Sequence, residues 1–72
     1  MKKINKVKIK INGKNFVIKP KMTLKDVITK YKIPEKKVAI ELNKEIINKQ
    51  NLRKIKIKNL ENIEIVHFIG GG

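Results

Sequence analysis

Apolar and polar residues alternate with a period of two through Val7, Ile9 and Ile11, interleaved with Lys6, Lys8, Lys10 and Asn12. That period predicts a half-buried strand. Asn12-Gly13 follows at once. This pair is the strongest short hairpin signal, because a type I′ turn needs φ > 0 at both central positions. The return strand is expected over about Asn15 to Lys19, with Phe16 and Ile18 on one face, and Pro20 ends it by withholding a ladder donor.

The pattern then changes to a helical one. Leu24, Val27, Ile28 and Tyr31 fall at i, i+3, i+4 and i+7, one apolar stripe over a helix of about Leu24 to Tyr31. Its start is marked by Thr23 as cap and by Asp26 in the capping-box position, with Met22 and Val27 spaced as a hydrophobic staple. Lys30 and Lys32 suit the negative end of the helix dipole, and Pro34 prevents continuation. Tyr31, on the apolar stripe, reads as a core residue rather than a site residue.

Val38 to Asn43 is the next strand, with Val38, Ile40 and Leu42 inward, Asn43-Lys44 turning out of it, and Glu45 to Asn48 as a short partner. Leu52 is expected to tuck under the polar loop from Asn48 to Asn51. Ile55 and Ile57 mark a short extended segment, Asn59 to Asn62 a turn, and Ile63 to Ile69 the last strand. In that strand Ile63, Ile65, His67 and Ile69 share one face, and Glu64, Val66 and Phe68 the other. Two apolar residues on the second face imply either a strand covered on both sides or an exposed apolar patch that marks a partner site. A hairpin, one helix and further strands, the last of them long and apolar, give a mixed sheet that grasps a single helix, an α+β domain over residues 1–69.

Composition narrows the function more than the fold. The chain has 72 residues, no Cys and a single His. There is no Ser, so thiol- and serine-based nucleophilic catalysis, disulfides and thiolate metal sites are excluded, and one His does not make a metal site. A chain of this size holds one small core, here rich in its fourteen isoleucines, and no deep enclosed pocket. No apolar run approaches the length of a membrane span, and the N-terminus lacks the apolar stretch of a signal peptide, so a cytoplasmic protein is expected.

The net charge of +13 raises nucleic acid as a partner. Against it, Arg53 is the only arginine, Phe16, Tyr31 and Phe68 are the only aromatics, and the lysines are spread along the chain. Joint enrichment in Ile, Lys and Asn matches the bias of an A/T-rich coding sequence. His67, near the end of a strand, is expected to be a solvated surface residue rather than an acid or base.

The chain closes on Gly70, Gly71 and Gly72. Three glycines hold neither helix nor strand, so this end reads either as a frayed terminus or as a flexible, slim leader. Extended, it reaches roughly 10 Å past Ile69. Its one reactive group is the α-carboxylate of Gly72, ionised at neutral pH and a poor electrophile until activated.

In this order of elements, the run Val38-Ala39-Ile40-Glu41-Leu42-Asn43-Lys44-Glu45-Ile46-Ile47 and the ending Ile63-Glu64-Ile65-Val66-His67-Phe68-Ile69-Gly70-Gly71-Gly72 resemble the bacterial thiamine-biosynthesis sulfur carriers, the ThiS family of ubiquitin-like proteins. The resemblance implies a β-grasp fold. It also implies that the chain is a substrate and carrier, with no catalytic residue and no bound metal or cofactor. An E1-like adenylyltransferase would spend ATP and Mg²⁺ to adenylate Gly72, and a sulfur donor such as a cysteine desulfurase persulfide would convert it to a thiocarboxylate. Thiazole synthase would accept the sulfur. Gly70 and Gly71 would enter the partners' active sites, and Val66, Phe68 and Ile69 would dock on them. A carrier for molybdopterin synthesis, and a basic β-grasp module binding RNA or protein, are the alternatives. The chain departs from such carriers in two respects: Leu60-Glu61-Asn62 stands where they usually have an Asp-Gly-Asp-like turn, and it is strongly basic where they are commonly acidic or near neutral.

Overall fold

The structure, a computed structural model, describes residues 6–68. The expected hairpin is formed by β1 (Val7–Ile11) and β2 (Lys14–Ile18), antiparallel, with Val7 opposite Ile18 and Ile11 opposite Lys14. Asn12 and Gly13 take φ values of 50° and 80°, the left-handed pair that a type I′ turn requires. The return strand therefore begins at Lys14, one residue earlier than its side-chain pattern suggests.

Helix α1 (Leu24–Lys30) carries the full capping box. Thr23 Oγ1 accepts from Asp26 N at 3.1 Å, and the Asp26 carboxylate accepts from Thr23 N at 2.9 Å. Other free donors at this end are used by the chain that crosses it. Leu24 N donates to Ile55 O at 2.8 Å and Lys25 N to Leu52 O at 3.0 Å. Backbone groups that a helix start leaves unpaired thus fix the 52–57 segment against it, and a single bridge joins Thr23 to Lys56. Leu24, Val27 and Ile28 are buried, and Tyr31 packs half-buried on Phe16 with ring centroids 4.9 Å apart, edge to face. Tyr31 is a core-edge residue, as its place on the stripe indicates.

After a 3₁₀ turn at Glu35–Lys37 come β3 (Val38–Leu42) and a two-residue β4 (Glu45–Ile46), joined by a second turn in which Asn43 and Lys44 have φ of 51° and 71°. β4 is shorter than expected: the pairing ends with the bond from Ile47 N to Ile40 O, and a second 3₁₀ turn, Lys49–Asn51, then carries the chain down to buried Leu52. The last strand, β5, spans Glu61–His67 and so starts two residues before Ile63. The preceding turn is compressed into Asn59-Leu60, with Leu60 at φ 67° donating to Lys8 O.

The sheet order is β2-β1-β5-β3-β4, with β1 and β5 parallel and the other neighbours antiparallel. One face is covered by α1 and the crossing segment. Val7, Ile9, Ile11, Ile18, Val38, Ile40, Ile63 and Ile65 meet Leu24, Val27, Ile28, Leu52 and Ile57 there in a single core. This is the mixed sheet on one helix of a β-grasp, and it places β5 in the middle of the sheet.

Candidate functional site

The site is built outward from β5, which is held on both sides by main chain and by two turn asparagines. Beyond the last β1 pairing, Asn12 Oδ1 accepts from Ile65 N at 2.7 Å and Asn12 Nδ2 donates to Ile65 O at 3.3 Å. On the other side Asn43 N donates to Asn62 O at 2.7 Å, and Asn43 Oδ1 accepts from Asn62 N at 3.0 Å. Each side-chain amide, presented by a left-handed turn residue, satisfies backbone groups that a longer neighbouring strand would have paired. The β3 ladder continues to Phe68, whose N donates to Lys37 O at 2.9 Å. The chain is thus paired to the last described residue.

Register sorts the β5 side chains. Ile63 and Ile65 are buried, while Val66 lies opposite Ala39 on the uncovered face and Phe68 continues in its phase. Val66 is 51% exposed and Phe68 59%. The strand is therefore central in its sheet yet open on its second face, so Val66 and Phe68 are exposed rather than covered. Glu41 and Glu64 sit directly opposite one another on the same face, each half-buried, and Ile46, opposite Glu41, is 76% exposed. His67, in phase with the buried isoleucines, is exposed where β5 runs past the core, as a surface histidine should be.

Cations gather beside the end of β5. Lys49 Nζ stands 5.4 Å from the Phe68 ring centroid. Lys25, Pro34, Glu35, Lys36 and Lys37 line a shallow cleft next to it, and Lys25 and Glu35 form a salt bridge. The hydrogen bond from Lys25 holds the Glu35 carboxyl below the usual carboxylate range, with the charges of Lys25, Lys49 and Arg53 acting in the same direction.

Of the residues singled out in the sequence, Val66 and Phe68 come together on the open face. Ile69, Gly70, Gly71 and Gly72 lie outside the described residues. The carboxylate pair, the two asparagine clamps and the cation cluster were not anticipated. The clamps had a visible signal, since Asn-Gly and Asn-Lys were both read as turns, but a turn residue's reach to a strand 53 positions away for Asn12, or 19 for Asn43, has no local signature. Among the described residues no group of three or more His, Cys, Asp or Glu is placed to hold a metal, and no helix is long and apolar enough to cross a membrane.

Comparison with known proteins gives a consistent picture. The model of the ThiS family matches residues 3–72. The chain is 38% identical over 65 residues to the sulfur carrier protein ThiS of Bacillus subtilis (strain 168), covering 89% of this chain and 98% of that one. It is 33% identical over 66 residues to a thiazole synthase of Paramagnetospirillum magneticum, covering 92% of this chain but only 20% of that protein. In fold it matches the crystal structure of the thiamine biosynthesis protein ThiS from Geobacter metallireducens with a TM-score of 0.80 at 22% identity, over 92% of this chain and all of the other.

Proposed function

The chain belongs to the ThiS family, and on that footing we propose that it is a sulfur carrier of thiamine biosynthesis, with the Gly72 carboxylate as the group that carries the sulfur. The observation that bears most weight is the family match running through the terminal glycines, together with 38% identity across nearly the whole of a named sulfur carrier. The resemblance of this chain to a segment within proteins named thiazole synthase favours the thiazole arm over molybdopterin synthesis.

A free carboxylate resists attack by sulfur because its charge is delocalised over two oxygens. Transfer of AMP from ATP to Gly72 by an E1-like partner, with Mg²⁺ balancing the phosphate charge, replaces that anion with a mixed anhydride and a good leaving group. The outer sulfur of a persulfide, such as a cysteine desulfurase supplies, then displaces AMP, and cleavage of the S–S bond by a thiol leaves the thiocarboxylate. The chain contributes no catalytic group to these steps. Gly70 and Gly71 pass through a channel too narrow for side chains, while Val66, Phe68 and Ile69 dock at its mouth. A chain lacking Gly71 and Gly72 tests this: sulfur transfer is lost completely while the circular dichroism spectrum and melting temperature stay unchanged. Transfer that survives the deletion refutes the proposal.

A further inference from the structure

Resting on the carrier reading above, the geometry points to the cationic rim beside Phe68, formed by Lys36, Lys37 and Lys49 with Lys25 and Arg53 behind them, as a docking surface for an acidic rim on the enzyme that receives the terminal glycines. Placement comes first. Phe68 N is bonded to Lys37 O at 2.9 Å, and Lys49 Nζ lies 5.4 Å from the Phe68 ring centroid. From there the four residues to Gly72 reach roughly 13–14 Å when extended. A partner that takes in the glycines as far as Phe68 therefore brings its rim against these lysines, inside one Debye length, roughly 8 Å at physiological salt, where charges are not screened out.

The balance of charge on this rim is one-sided. Its two carboxylates are already engaged, Glu35 with Lys25 and Asp26 with the Thr23 backbone N. Among the described residues Lys36, Lys37, Lys49 and Arg53 form no salt bridge. A compositional bias would account for the number of lysines but not for their gathering beside Phe68. A single arginine and a single aromatic at the rim suit a protein carboxylate surface better than a base-reading one.

The test compares two triple variants of equal net charge. Lys36→Glu/Lys37→Glu/Lys49→Glu reverses the rim, and Lys6→Glu/Lys19→Glu/Lys58→Glu alters exposed lysines at the end of the sheet where β5 begins. Both are assayed by pyrophosphate release with the E1-like activating enzyme of the same source, ATP and Mg²⁺. The rim variant raises KM about tenfold or more with kcat within about twofold, and it loses the rise of KM with NaCl that the wild type shows, while the distal variant stays within about threefold. The milder Lys36→Gln/Lys37→Gln/Lys49→Gln variant shifts KM in the same direction and serves if the reversal unfolds the chain. Equal effects of the two reversals, or no effect of either, overturn the rim. So does an unchanged KM accompanied by loss of binding to a short oligothymidylate, which would make this a nucleic-acid surface. Absence of pyrophosphate release with the wild-type chain overturns the carrier reading itself, and the rim with it.

Discussion

The side chain of Asn12 pairs with both backbone groups of Ile65, accepting from its N at 2.7 Å and donating to its O at 3.3 Å. A residue of the β1–β2 turn thereby fixes β5, the last described strand. Replacing Asn12 by Ala removes two hydrogen bonds, each worth about 0.5–1.5 kcal/mol, and puts at φ 50° a residue without asparagine's tolerance of the left-handed region, at a further cost of about 1 kcal/mol. Asn12→Ala should lower unfolding free energy by about 2–4 kcal/mol in urea titrations, and Asn12→Gly by the hydrogen-bond part alone. Equal stability of the alanine variant and the wild type would show that the clamp is not needed.

Leu60 offers the opposite case. It is 77% exposed and sits at φ 67°, in the left-handed region. A leucine there bears roughly 1–2 kcal/mol of left-handed strain, partly offset by the entropy that glycine loses on folding. Leu60→Gly should stabilise the chain by about 0.5–1 kcal/mol, read as a higher urea midpoint at unchanged slope. A lower midpoint would show that Leu60 makes contacts that outweigh the strain.

Glu35 links the cation cluster to pH. Its carboxyl is held below its usual range by the Lys25 hydrogen bond first and by neighbouring positive charge second. A carboxyl whose folded pKa is depressed binds fewer protons in the folded state, so its contribution is present above the unfolded value of about 4.3 and is lost as pH falls through the folded one. Stability should therefore decline below about pH 4, and Glu35→Gln should flatten that decline while leaving the profile above pH 5 parallel to wild type. The same slope in both proteins would place the acid sensitivity elsewhere.

Most of the architecture was legible because the chain repeats its signals locally. The period of two from Val7 to Ile11, the Thr23–Asp26 box and the Leu24-Val27-Ile28 stripe each named an element, and the structure has them there. The misplaced start of β5 has a definite cause. β5 begins at Glu61 rather than Ile63 because Leu60 adopts a conformation disfavoured for its residue type, and a residue-by-residue reading discounts such a turn. The apolar second face of β5 was visible in Val66 and Phe68, whereas the opposed Glu41 and Glu64 depend on β3 register, which only the folded sheet defines.

Phe68 separates docking from folding. At 59% exposure, with Lys49 over its ring, it contributes about 0.5–1 kcal/mol to stability, but as the aromatic centre of the open face it should carry 2 kcal/mol or more of partner binding, about 30-fold. Phe68→Ala is expected to raise KM for adenylation by about that factor while moving the melting temperature by only a few degrees. A large drop in melting temperature with normal KM would assign Phe68 to the fold instead.

The most direct measurement for the account is intact mass before and after incubation with ATP, Mg²⁺, an E1-like activating enzyme and a sulfur donor. Because the chain has no cysteine, any alkylatable sulfur it gains reports a new group. A mass rise equal to the exchange of one oxygen for sulfur is expected, located at Gly72 by fragmentation and followed by a further rise on thiol alkylation. An unchanged mass, with the same activating enzyme shown to modify another carrier, would contradict it.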